Sequence, residues 1–315
     1  MAVSAGLERH RAEALARLRA ASVTRPGPGS ISWKVNREII VVAGWARAIL
    51  LQLAHPLVAA GVDEHSSFRG SPMTRLGRLR SSVGAMLSLT FGDEDEAVAA
   101  AARINAIHDR VSGFAYGERY SAHDADLLRW VHATLLDSML LTYELLVEPL
   151  RPEERDRYCA EAAVMEPLLD IPAGLLPRSM KELDAYLRDS LGSKRIAVDD
   201  RSRVLARAIL FPPRWRLFWP ALRPVQLMTI GLLPDAVRRG YGFEWTRNDD
   251  RALDRWTTAL RWLHRPMPAL FRQWPSSHRL PRVPGVSSRA NPTRGETACH
   301  PDRHDSTQAS VFSQP

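Results

Sequence analysis

Hydrophobic residues along most of the chain recur at steps of three and four, the spacing of a helix with one apolar face. That pattern predicts helices over residues 5–21, 33–54, a short run after Pro56, 73–90, 93–112, 122–148, 152–168, 179–191, 199–210, 224–239 and 249–263. Strand-like alternation is almost absent, so the expected fold class is all-α. Local signals mark several ends. The stretch GDEDEA places carboxylates in the first turn of the helix expected at 93, where the helix dipole favours them. In SAHDADLL, Ser121 can cap the next helix with Asp124 three residues on, close to a capping box. TRPGPGS at 24–30 breaks the first helix as a linker.

These elements divide the chain into an N-terminal amphipathic helix with linker, residues 1–30, and a single multi-helix domain over 31–270. A basic tail follows at 275–315, rich in Ser, Pro, Arg and Gly and expected to be disordered. No solenoid-length repeat and no internal linker interrupts residues 31–264.

With 315 residues, 45% of them hydrophobic, the chain can build a sizeable core. Its formal charge of +8 sits at the ends: residues 1–30 carry +3 and residues 265–315 carry +4, leaving +1 for the body. A basic face for nucleic acid is therefore not expected. The start lacks an uninterrupted apolar leader, which points to a cytoplasmic protein. The run IIVVAGWARAILLQLA at 39–54 contains Arg47 and is shorter than the ~20 residues of a bilayer crossing, so it reads as a core helix. Peripheral membrane contact is instead expected of the Arg-rich helix at 5–21. Cys159 and Cys299 lie in unrelated contexts and indicate neither a disulfide framework nor a cysteine metal site.

Two histidines interrupt apolar stripes. Ile104, Ile107, His108 and Val111 share a helical spacing, as do Leu128, His132, Leu135 and Met139. Either imidazole can be a core histidine satisfied by nearby carbonyls. A pair of them also suits a haem pocket, where an apolar macrocycle needs one nitrogen donor at iron. No Glu has a His three residues later, which argues against a di-iron bundle, and HExxH, Walker, GxGxxG and GxSxG motifs are absent. Arg47 can pair with a neighbouring acid or meet a buried anion such as a haem propionate. Arg78 and Ser82 stand one turn apart and can face one site, or belong to a solvated basic face. His55 precedes a proline that closes its helix, and His65 reads as a loop residue.

The segments RAILLQLAHPLVAAGVDEHSSFRGSPMTRLGRLRSSVGAMLSLTFGDEDEA, INAIHDRVSG, YSAHDADLLRWVHATLLDSMLLTYE and LMTIGLLPDAVRRGYG, in that order, resemble the bacterial MpaB-like family. This family groups with fungal MpaB oxygenase and the latex-clearing, or rubber oxygenase, proteins. The resemblance implies an all-helical fold, a buried haem b held by one histidine, and dioxygen attacking a carbon–carbon double bond in a lipophilic small molecule. By position, His108 corresponds to the iron ligand. The Arg-x-x-x-Thr element of the latex-clearing branch falls on Arg78 and Ser82, the implied catalytic residues, while His132 is a further catalytic candidate that either lines the haem pocket or makes a structural hydrogen bond. Arg47 becomes a cofactor-binding candidate. The chain departs from that branch at Ser81, where a distal lysine is usual, and rubber itself is not the expected substrate.

Overall fold

The computed structural model describes residues 2–21, 23–65, 72–211 and 219–278. All but the first four residues of the expected tail at 275–315 lie outside them, and those four, Pro275–His278, form a short 3-10 turn. The expected all-α class is what the chain adopts. Helix α1 (Ala2–Ala20) is followed by α2 (Ile31–Asn36), a 3-10 turn at Ile39–Val42, α3 (Ala43–Leu53), α4 (Pro56–His65), α5 (Pro72–Phe91) and α6 (Glu94–His108). After a hairpin come α7 (Ala125–Leu146), α8 (Pro152–Ala162), α9 (Met165–Leu168), α10 (Met180–Gly192) and α11 (Asp200–Leu210). The series ends with α12 (Trp219–Gly231), α13 (Asp235–Gly240), α14 (Arg247–His264) and α15 (Ala269–Arg272).

The hairpin pairs β1 (Ser112–Ala115) with β2 (Glu118–Ser121) antiparallel. Its turn residues Tyr116 and Gly117 both have positive φ, 54° and 84°, the backbone that a two-residue hairpin turn demands. Four-residue strands are too short to show alternation, which is why the sequence pattern extends α6 to 112. In the structure α6 stops at His108, and Val111 packs beside Tyr120 of the hairpin.

Helix α7 is the axis of the fold. Trp130, Leu136, Leu140, Tyr143 and Leu146 are buried along it, among residues from α3, α8, α10 and α12. Its start is later than the sequence suggests: Asp124, not Ser121, is the cap, its carboxylate accepting the backbone N–H groups of Asp126 and Leu127. The tightest seam lies between α3 and α7. A Cβ on Gly44 would sit 2.5 Å from Thr142 Oγ1 and 2.6 Å from the Ser138 carbonyl oxygen, so only glycine allows this approach.

The predicted helix at 33–54 is broken by Glu38, whose backbone is extended. Its buried carboxylate accepts hydrogen bonds from Gln273 Nε2 at 2.8 Å and faces His264 Nε2 at 3.0 Å. Backbone pairing of Glu38 with Gln273 and of Trp274 with Arg37 completes this junction. Ala14 and Leu18 of α1 are buried with Val98 and Ala101 of α6 and Leu168 of α9. Leu15 of α1 packs partly buried against the same cluster. No single described helix is long and apolar enough to cross a membrane; Ile39–Leu53 with Pro56–His65 pass on composition together, but they bend by 107° and bury Leu50, Leu51, Leu53 and Ala59 in the fold.

Candidate functional site

Beside α7 lies a cavity of about 230 Å³, walled mainly by apolar side chains of α5, α6, α7 and the α8–α9 corner. Leu128, His132, Leu135 and Met139, the stripe singled out in the sequence, all line it, together with His108 at the end of α6. The i, i+4, i+7 spacing on α7 thus makes one wall of a cavity and leaves His132 projecting into it.

His132 is 9% exposed and its Nε2 has no hydrogen-bond partner. Burial alone pushes its pKa down to about 4, so the ring is neutral at physiological pH. His108 is pushed down to about 4 as well, first by burial and then by the neighbouring His123, with Asp109 opposing; its Nδ1 is also buried and unpartnered. Unmet buried polar atoms cost about 1–3 kcal/mol each, so two free imidazole nitrogens on one apolar cavity are a costly arrangement that a nitrogen-seeking ligand would relieve.

Behind His108 stands a polar cluster that sequence reasoning missed. The His123 ring meets His108 edge to face at 5.7 Å, and His123 Nε2 lies 2.9 Å from Asp109 Oδ1. Asp109 Oδ2 in turn lies 2.7 Å from His10 Nε2 of α1. This contact holds the Asp109 carboxyl below its usual range, His10 contributing most. Each member is unremarkable in sequence; only the IHD and AHD pairs hint that two histidines accompany carboxylates.

A second missed group closes the cavity at α2 and α8. Tyr158 donates its hydroxyl to Asn36 Oδ1 at 3.2 Å, and Glu161 accepts from the Ser32 N–H at 2.7 Å. The Ser32 hydroxyl is buried without a partner.

Arg47 is not part of the cavity wall. At 5% exposed, it donates from Nη1 to Asp137 Oδ2 at 2.6 Å and to Ser138 Oγ at 2.7 Å, and from Nε to the Leu232 carbonyl at 2.6 Å. Through Nη1 and Nε it joins α3, α7 and the end of α12, so the alternative of pairing with a neighbouring acid is what the structure shows for this side chain. Ser82 is exposed on α5, one turn before the cavity residue Met86, and the side chain of Arg78 lies outside the described residues. Ile107, expected on the core stripe, is 55% exposed; Asn105 and Ala101 hold the buried face instead. The structure therefore joins His108 to His132 and leaves Arg47 apart.

Residues 33–262 match the family described as ER-bound oxygenase mpaB/B'/Rubber oxygenase, catalytic domain. Two curated relatives are similar: "Uncharacterized protein Mb2261" of Mycobacterium bovis and "Uncharacterized protein Rv2237" of Mycobacterium tuberculosis. Each is 27% identical over 237 residues, which cover 73% of this chain and 90% of the relative. No solved structure matches. The family match spans most of the helical domain, including both cavity histidines, and the chain belongs to the mpaB and rubber oxygenase catalytic-domain family.

Proposed function

We propose that this oxygenase-family chain works with haem b, held at iron by His108, and acts with dioxygen on a lipophilic, unsaturated small molecule. The observation that carries the reading is the pair of neutral imidazoles, each with an unpartnered nitrogen, on one apolar cavity. Among the described residues no group of three or more His, Cys, Asp or Glu is placed to hold a metal ion. Iron at this cavity would then bring most of its own ligands, as a tetrapyrrole does.

The donor set and the apolar lining suit haem. The volume is tight: about 230 Å³ is below the ~300–1,000 Å³ common for ligand sites, so the macrocycle requires a wider cavity than this one. Bound ferrous haem with one protein nitrogen would supply an open coordination position for dioxygen. The chain's own part is to present the nitrogen of His108, keep water out with Leu128, Leu135 and Met139, and hold the hydrocarbon beside the neutral ring of His132. A second reading is a non-catalytic protein that binds haem or a lipid in the same apolar cavity.

Purified protein expressed with ample haem precursor should show a strong Soret band that His108→Ala abolishes, and oxygen uptake with an unsaturated lipid. Absence of the band in the parent protein overturns the haem reading. A band without oxygen uptake favours the non-catalytic one.

A further inference from the structure

We infer that the outer face of α14 and α15 is a docking surface for an anionic lipid membrane. Helix α14 is strongly two-sided. Thr257 and His264 are buried on its inner face, where the helix packs on α12 and α7. On the opposite side Arg255, Ala259 and Trp262 follow the i, i+4, i+7 spacing and, with Asp254 and Thr258, line a shallow groove. Trp262 is 78% exposed, Leu263 63%, and beyond the helix end Leu270 and Phe271 are 72% and 68% exposed. Scattered exposed apolar residues are ordinary, but four this large fall within ten residues, at the end of α14 and in α15.

The charge around this patch selects its partner. Residues 255–272 contain four arginines and no Asp or Glu. Arg272 leans on Glu38 at 3.8 Å, while Arg255, Arg261 and Arg265 have no carboxylate partner among the described residues. The groove has one acid, Asp254, next to Arg255. A second copy of the same face would set unpaired arginines against unpaired arginines. Residues 279–315 carry five Arg against three Asp or Glu, a net +2, and so bring the wrong sign to cover it. A membrane surface with anionic headgroups answers both features: it takes Trp and Phe at the interface while pairing arginines with phosphate.

The test is co-sedimentation of the full chain with vesicles of phosphatidylcholine alone or mixed with phosphatidylglycerol, read alongside size and melting temperature. The expected result is binding to the mixed vesicles only, reduced at least about tenfold by Trp262→Ser with Phe271→Ser and by Arg255→Gln with Arg265→Gln. The control pair Arg9→Gln and Arg19→Gln on α1 should bind as the parent does. All of these side chains are on the surface, so melting temperatures should stay together. Equal binding by the α14 and parent proteins, or no binding to the mixed vesicles, overturns the inference. So does a dimer that Trp262→Ser with Phe271→Ser dissociates, which would assign the patch to a second copy. Because the readout is lipid binding, it stands whether or not the haem reading survives.

Discussion

Arg47 and Asp137 meet across the seam of α3 and α7, guanidinium nitrogen to carboxylate oxygen at 2.6 Å. One turn of α7 before Asp137 lies the stretch that carries His132, so this pair fixes the rotation of the helix that lines the cavity.

Removing one partner of such a pair strands the other. Arg47→Met should cost about 3 kcal/mol, measured by urea denaturation, and Arg47→Met with Asp137→Leu should recover much of that loss. If Arg47→Met left stability unchanged, the pair would be a surface contact and not a seam lock.

Gly44 sits on the same seam, where a methyl group would collide with Thr142 and the Ser138 backbone. Gly44→Ala should destabilise by about 1–3 kcal/mol through overpacking, despite the better helix propensity of alanine. Adding Thr142→Ala removes one of the two clashes and should restore part of the stability, a rescue that a melting curve would register.

His132 links stability to acid. Its folded pKa, about 4, lies below the ordinary histidine value of 6.5, so the unfolded chain takes up a proton first as pH falls. The favourable contribution is complete above pH 6.5 and is lost as pH falls towards 4, by about 3 kcal/mol in all. His132→Phe should flatten the stability profile across that window. An unchanged slope would mean that His132 is solvated in the folded state.

Much of this was legible beforehand because amphipathic helices announce themselves. Nearly every predicted helix appears, and Leu128, His132, Leu135 and Met139 share one face of α7 as their spacing implied, a face that the structure shows lining a cavity. The exceptions have causes distant in sequence. Glu38 interrupts a run that looks continuous because its side chain is claimed by His264 and Gln273, more than two hundred residues away. Arg47 was readable as buried, but which acid claims it depends on the approach that Gly44 allows, and no helical period encodes that. The cluster of His10, Asp109 and His123 joins three separate segments, so only folding brings it together.

The junction at Glu38 also bears on where the domain ends. The family match stops at residue 262, yet three of the four side chains that meet this interior carboxylate, His264, Arg272 and Gln273, come after it, and only Arg37, at 3.5 Å, lies within it. A polypeptide cut at the homology boundary would keep all the recognisable motifs and leave this carboxylate with Arg37 alone. The smallest piece able to fold as this protein does must therefore reach at least Trp274, whose backbone closes onto Arg37.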